Sequence, residues 1–429
     1  LVGVSMMCSS SQKSEIHKGV IHVKHPHYEI GLHLSPRLGE LRARVELTCS
    51  LEDLDAEPSS DVFFLHRALR PETVTGDDVI GFTWGDMSTP HPLGNDMGWA
   101  ELTVSYGKAA QLGKTRRLVF EYRGCPGIVS QWQVNRLTPE WVELGMYAPW
   151  FPFRLDWHFT YRVSVTVDPG YETIGVGMCK SPDGQVTLAS TEPTRDIVVV
   201  CAPRFLTEQR AVAHDSVRVR FTSENDAGFA KQIAEDGAWV LDFLGSWLGR
   251  SMVKPPEIVI APRTTGGAYV RPGLVVMSRP EGDPASERQR YFRWVAHEFG
   301  HLWWFRASFT NWEDWLNESF AEFCSLASLR QKYGEDAYAS RLNDMRHRSQ
   351  DLPPVRGLPR NHEKASDVLY VKGCVILADL EMNIGRELMT RFLQEVYSQE
   401  AVTTEAVIQV LNAVAGPTHG QWLDERLRS

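Results

Sequence analysis

The chain has 429 residues, 43% of them hydrophobic, and a formal net charge of −9. That length and apolar content suffice for two or three independent cores, while the acidic balance argues against a nucleic-acid or anionic-membrane partner. No apolar run approaches the roughly 18 residues that a membrane span requires. The opening LVGVSMMCSS lacks both a basic n-region and a long apolar h-region, so it does not read as a signal peptide. Seven cysteines are scattered without any C-x-x-C pair. They suggest neither a disulfide frame nor a thiolate metal site, and they favour a reducing, cytoplasmic setting.

From about Lys24 to Pro203 the dominant period is two. Leu41, Ala43, Val45, Leu47, Cys49 and Leu51 alternate with polar neighbours, and Leu118, Phe120 and Tyr122 repeat the pattern. Tyr161, Val163, Val165 and Val167 do so again before Asp168-Pro169-Gly170. Pro92-Leu93-Gly94-Asn95-Asp96 and Pro182-Asp183-Gly184 supply turns. Many short strands with regular breaks predict a β-sandwich-like front domain. Its aromatic stretches, Gln131-Trp132-Gln133 and Trp150-Phe151-Pro152-Phe153, fill a core or face a site. Val217, Val219 and Phe221 add one more strand. The period then changes to helical through Phe229, Ile233, Val240, Phe243, Leu244 and Trp247, with Gly249 as the stop. Ile258-Val259-Ile260 and Leu274-Val275-Val276 read as buried strands around a loop from Arg263 to Gly273. Helices are expected near Ser286 onward, over Lys372–Asn383, over Arg386–Ser398, and over Thr404–Ala415 with a Thr403 or Thr404 cap and a Gly416-Pro417 stop. The implied division is 1–205 and 206–429, and the fold class is α+β, multidomain.

The chemistry concentrates in Tyr291 to Leu326. His297-Glu298-Phe299-Gly300-His301 reads H-E-x-x-H, and apolar Tyr291, Trp294, Val295, Phe299 and Leu302 recur at helical spacing around it. On a helix, residues four apart share a face, so His297 and His301 can grip one ion while Glu298 reaches a water beside it. Trp315-Leu316-Asn317-Glu318-Ser319-Phe320-Ala321 follows, and Glu318 can close a set of two imidazoles and one carboxylate. That set suits one catalytic zinc per chain with a position left open. A histidine pair on a helix can also be a plain surface or core feature, but the downstream carboxylate and the helical context favour the metal.

HEFGH followed by WLNESFA resembles the aminopeptidase N family of gluzincin zinc metallopeptidases. Their pattern is H-E-x-x-H, an eighteen-residue spacer, and the glutamate of W-L-N-E-G-F-A; here the spacer has sixteen residues. The resemblance implies a trimmed loop with Glu318 retained as ligand and Glu322, one turn on, as the fallback. It implies a β-sandwich or saddle-like N-terminal domain followed by a thermolysin-like mixed α/β, then helical, zinc domain. It also implies a short form without the family's C-terminal helical domain.

The same resemblance assigns chemistry. Glu298 serves as general base and proton shuttle. Tyr370, in Tyr370-Val371-Lys372-Gly373, matches the family's Y-x-K-G, whose tyrosine stabilises the oxyanion. Gly267-Ala268-Tyr269-Val270-Arg271 aligns with the family's substrate-binding G-x-M-E-N, making Gly267, Ala268, Tyr269 and Arg271 candidate substrate contacts. Val270 stands where the family's glutamate grips the substrate amine, and valine cannot pair with an ammonium. Arg271 would repel one, and either receives a carboxylate or is a solvated arginine; either Glu140 or Glu143 replaces the amine anchor, or internal bonds are cut. The expected activity is therefore peptide-bond hydrolysis of aminopeptidase type, with endopeptidase action on small peptides as one alternative and a peptide-docking module with little turnover as another. A nucleic-acid role finds no basic–aromatic patch to support it.

Overall fold

A computed structural model describes residues 25–50, 59–87, 98–107, 115–127, 134, 136–182, 184–212, 215–251 and 253–429. Leu51, the Pro92–Asp96 turn, Gln131-Trp132-Gln133, Asp183 and Cys8 lie outside them.

The front of the molecule is built on one seven-stranded sheet. Its order is Cys179–Lys180, Val186–Thr194, Phe159–Val167, His27–Ser35, Glu40–Ser50, Thr115–Gly124 and Leu69–Gly76. Strand His27–Ser35 runs parallel to Phe159–Val167 and antiparallel to Glu40–Ser50, with Ile30 opposite both Val163 and Val45. Alternation places Tyr28, Ile30, Leu32 and Leu34 on the buried face, together with Leu41, Val45 and Leu47. A three-stranded sheet, Ser60–His66, Trp99–Tyr106 and Val79–Asp86, joins that core, and Phe63 meets Phe120 edge to face at 5.3 Å. Trp150, Phe151 and Phe153 are fully buried there, so this aromatic run is core.

A four-stranded sheet, ordered Glu172–Gly175, Val199–Ala202, Val142–Leu144 and Arg136–Leu137, connects front and back. Every residue of Val199–Ala202 is buried, because both faces are covered. Val199 and Cys201 point into the front core, while Val200 and Ala202 pack with Val259, Ala261 and Val276.

The back begins with a five-stranded mixed sheet, ordered Leu206–Val212, Asp215–Phe221, Glu257–Ala261, Leu274–Ser278 and Ala268–Arg271. The segment expected to be a loop between the two apolar strands thus contains a strand. Ala268–Arg271 turns back antiparallel on Leu274–Ser278 through Gly273, whose positive φ of 86° suits glycine, and lies at the sheet's edge. Helices α1 (Ala227–Leu248) and α2 (Arg288–Gly300) pack against this sheet, and α3 (Trp315–Tyr333) packs on α2. Further helices follow at Glu335–Ser349, Gly373–Ile384, Arg386–Ser398, Thr404–Ala415 and Pro417–Arg428. Thr403 caps the helix that begins at Thr404, its hydroxyl accepting from the Ala406 amide. Gly416-Pro417 does end that helix, but Pro417 also opens the last one, since its fixed φ and missing N–H fit a first helical position. The architecture is α+β and multidomain.

Among the described residues no helix is long and apolar enough to cross a membrane.

Candidate metal centre and cleft

Helix α2 ends where its chemistry begins. His297 sits in its last turn and His301 forms its C-cap, and their rings meet nearly perpendicular with centroids 4.9 Å apart. Helix α3 crosses close by because two small residues meet. A Cβ on Gly300 would lie 2.9 Å from the Cα of Ala321, a distance real Cβ atoms avoid. That close approach delivers Glu318 to the histidines. Its Oε2 lies 3.3 Å from His297 Nε2 and 3.5 Å from His301 Nε2.

The two imidazoles are oriented from behind. His297 Nδ1 lies 3.1 Å from Glu322 Oε2, and Arg341 donates to the other oxygen of Glu322 at 3.2 Å. His301 Nδ1 lies 2.7 Å from the Trp304 carbonyl. With each Nδ1 so engaged, each Nε2 is left to face Glu318. Glu322 therefore backs a histidine and does not itself join the cluster of His297, His301 and Glu318, whose donor atoms lie within 4.8 Å of one another. Glu318 Oε2 is buried and has no hydrogen-bond donor aligned on it. An orphaned carboxylate oxygen between two imidazole nitrogens, closed on one side by protein, fits a divalent ion of the zinc type. Burial would raise the pKa of Glu318, but His301 and His297 hold it well below the usual carboxylate range.

Glu298, one residue past His297, is buried and lines the adjoining cleft; burial pushes its pKa up against the pull of both histidines. Tyr370 lies in a single π-helical turn, Val368–Lys372, which rotates its ring onto His297 (centroids 5.3 Å apart, 21° between planes). Burial, and then the charge of Glu318, raise its pKa well above the ordinary value, so the phenol keeps its proton. The turn is tied to α3: Ser319 Oγ donates to the Leu369 carbonyl at 2.6 Å, and Gly373 leaves room for Ser319.

The cleft, ~410 Å³, lies between α2, α3, the edge strand Ala268–Arg271, and front-domain residues around Tyr147, His158 and Arg195. Ala268, Tyr269, Val270 and Arg271 line it, whereas Gly267 does not. Gly267 makes the turn before the strand at a φ of 56°, and its carbonyl accepts from Ser278 N and Arg263. Tyr269 is nearly buried, its hydroxyl donating to Glu143 Oε1 at 3.2 Å. Arg271 is already paired: its Nε donates to buried Asp196 at 2.7 Å, and its guanidinium lies near the rings of Tyr147 and Tyr269. A carboxylate from outside would compete with Asp196 for that charge. Nor can Glu143 grip a substrate amine. It is fully buried and accepts from Arg263 twice, from Trp141 Nε1 and from Tyr269. Glu140 is exposed and away from the cleft.

Beside Asn317, which belongs to the WLNESFA stretch, the site holds Asp314, Arg360 and Arg195, which carry no motif. Asn317 bonds both the amide and the carbonyl of Ala307 at 3.1 Å and donates to Asp314, whose other oxygen accepts from Arg360 at 3.0 Å. Asp314 is pushed up to about 6 by burial and by Glu318, against Arg360. Arg195 approaches from the front domain. Only the folded chain brings these groups together, and no spacing in the sequence signals Asp314, Arg360 or Arg195.

The fold thus brings together an H-E-x-x-H helix, a following helix that offers a third possible donor, and a mixed sheet whose edge strand borders the cleft. Residues 265–425 match the Peptidase family M1 domain. A probable aminopeptidase 2 of Sulfurisphaera tokodaii is 26% identical over 39% of this chain and 23% of its own length. An aminopeptidase N of Haemonchus contortus is 27% identical over 47% of this chain and 24% of its own. The chain thus matches about a quarter of the length of these relatives. In fold it is similar to an M1 zinc metallopeptidase mutant of Deinococcus radiodurans bound to a Tyr-Ser-Ala substrate, with a TM-score of 0.65, 19% identity and 95% of both chains covered. The similarity to the Peptidase family M1 domain thus covers residues 265–425, and the similarity to the solved structures is one of fold.

Proposed function

We propose that this protein is a zinc-dependent peptidase that hydrolyses short peptides. The observation that carries this reading is the convergence of His297, His301 and Glu318 on one point, with Glu298 and Tyr370 beside it at the wall of an open cleft. The three donors would hold the zinc, residues 1–205 would form one domain and 206–429 the catalytic one. Bound there, zinc supplies a Lewis acid that makes hydroxide available near neutral pH.

The side chains account for the remaining steps. Glu298 takes the proton of the attacking water and returns it to the leaving amine. Tyr370, protonated and stacked on His297, donates a hydrogen bond to the oxygen that gains charge. The edge strand Ala268–Arg271 offers backbone groups to an extended substrate, and strand addition needs no particular side chain. By the resemblance to aminopeptidase N, Val270 would stand in place of an amine-binding glutamate. Among the described residues the carboxylates lining the cleft are Glu298, Asp314 and Glu318, and Asp314 is bonded to Asn317 and Arg360. The lack of a free acidic anchor there favours a second reading within the same chemistry, cleavage of internal bonds.

The Deinococcus mutant is bound to a Tyr-Ser-Ala substrate, so short peptides are the first to try. Hydrolysis of one peptide with a free and with an acetylated N-terminus separates the readings: equal rates indicate endopeptidase action, and loss on acetylation indicates an amine anchor. Glu298→Gln should retain stoichiometric zinc and lose on the order of 10²- to 10⁴-fold in kcat. Full hydrolysis by that variant removes Glu298 from the mechanism, and failure of the native protein to bind zinc removes the peptidase assignment.

A further inference from the structure

Four arginines line the cleft: Arg195, Arg271, Arg306 and Arg360. Three have carboxylate partners, Arg271 with Asp196 at 2.7 Å, Arg306 with Glu400 at 2.6 Å and Arg360 with Asp314 at 3.0 Å. Arg195 differs. Its Nε donates to His158 Nε2 at 2.6 Å, its Nη2 donates to the Ala307 carbonyl at 2.9 Å, and its guanidinium rests 4.6 Å from the ring centre of Phe309. All three partners are neutral. His158 is held uncharged, its pKa brought down to about 4 by burial and then by Arg195 itself. Asp314 contributes a distant favourable field, but its oxygens are taken by Asn317 and Arg360. Among the described residues no carboxylate lies within ion-pair distance of Arg195. Burial lowers the Arg195 pKa only to about 10, so it is charged at neutral pH.

A half-buried cation without a counter-ion is costly unless a ligand supplies one. Here two of its nitrogens are fixed by neutral acceptors, which orients the guanidinium, and among the described residues Nη1 has no acceptor. We propose that Arg195 is an anion subsite of the cleft, pairing with a carboxylate of the substrate, either the C-terminal carboxylate of a short peptide or an acidic side chain. This rests on the peptidase reading for the identity of the ligand, and it gives the cleft a selectivity that does not need an amine anchor at Val270. The selected peptides are short or acidic ones whose carboxylate reaches the front-domain wall while the scissile bond lies beside Glu298. A charge-assisted, oriented pair of this kind is worth about 10- to 100-fold in affinity.

The test measures calorimetric binding to zinc-loaded Glu298→Gln protein with three probes: Tyr-Ser-Ala, its C-terminal amide, and Tyr-Glu-Ala amide. At least one of the two carboxylate-bearing probes should bind about 10- to 100-fold more tightly than the neutral amide, and the tighter one identifies the source of the carboxylate. Adding Arg195→Gln should bring the ratio to about one, while Arg195→Lys should keep part of it. Equal binding of all three probes, or a ratio that survives Arg195→Gln, overturns the subsite. Should Arg195→Gln fail to fold, the three probes on the Arg195 protein and on the Lys variant still decide the matter. Hydrolysis is read separately in the Glu298 protein: no turnover with the binding ratio intact removes the peptidase reading and leaves the subsite standing.

Discussion

Each imidazole of the metal cluster is presented by a partner on its far side, and those partners set how much affinity the cluster has. Glu322 holds His297 through Nδ1 and is itself held by Arg341, so its removal frees the ring to rotate and lowers its basicity. Glu322→Ala should keep the fold and one zinc per chain but weaken zinc binding about 10- to 100-fold, measured by competition with a chelator. Complete loss of metal would instead move Glu322 into the ligand set. At this scale the sequence says much about His297, Glu298 and His301, because four-residue spacing on a helix fixes their common face. It says little about Arg271, whose charge reads as free until the fold brings Asp196 against it from 75 positions away in the chain.

Helices α2 and α3 bring the donors together only because Gly300 meets Ala321 without a Cβ between them. Two effects oppose each other in Gly300→Ala. Alanine gains up to about 1 kcal/mol of helix propensity in a helix interior, less at this last helical position. Overpacking a backbone contact at 2.9 Å costs about 1–3 kcal/mol. Overpacking should prevail, and relief of it moves α3 and with it Glu318. The expected outcome is a lower melting temperature together with weaker zinc binding; a variant with both unchanged would show that the contact does not position Glu318. Periodicity marks the helices well, since α1 and the helix over Arg386–Ser398 stand where the apolar spacing puts them. It misses Glu335–Ser349, a helix rich in charge and sparse in apolar residues, and it hides the strand Ala268–Arg271, which is only four residues long. The π-helical turn that rotates Tyr370 onto His297 has no period of its own.

Polar links near the cleft join the front of the molecule to the back. Glu143 meets Arg263 and Tyr269, Asp196 meets Arg271, and Arg195 meets the Ala307 carbonyl. The first is the most buried, with both charged side chains fully shielded from solvent. Glu143→Ala would leave Arg263 charged, buried and without its partner, at a cost of about 3–5 kcal/mol. Thermal unfolding should show that loss, and Glu143→Ala combined with Arg263→Met should recover part of it because the uncompensated charge is gone. A double variant no more stable than the single one would mean that the pair acts through shape and not through charge. The same links fix the front wall of the cleft, so the single variant should also weaken binding of the peptide probes.

From its own order of residues the chain dictates strands in front, helices behind and a metal-binding spacing at the end of α2, because alternation and helical period are local properties that adjacent side chains determine by which face they share. The tertiary structure alone decides which charges are spent and which remain available. Glu143 and Arg271 are neutralised by partners far away in the chain, Glu318 meets its histidines through a glycine contact between helices, and Arg195 is left facing the cleft with neutral neighbours. Coulomb interactions depend on distance in space, and no count of residues along the chain supplies that distance.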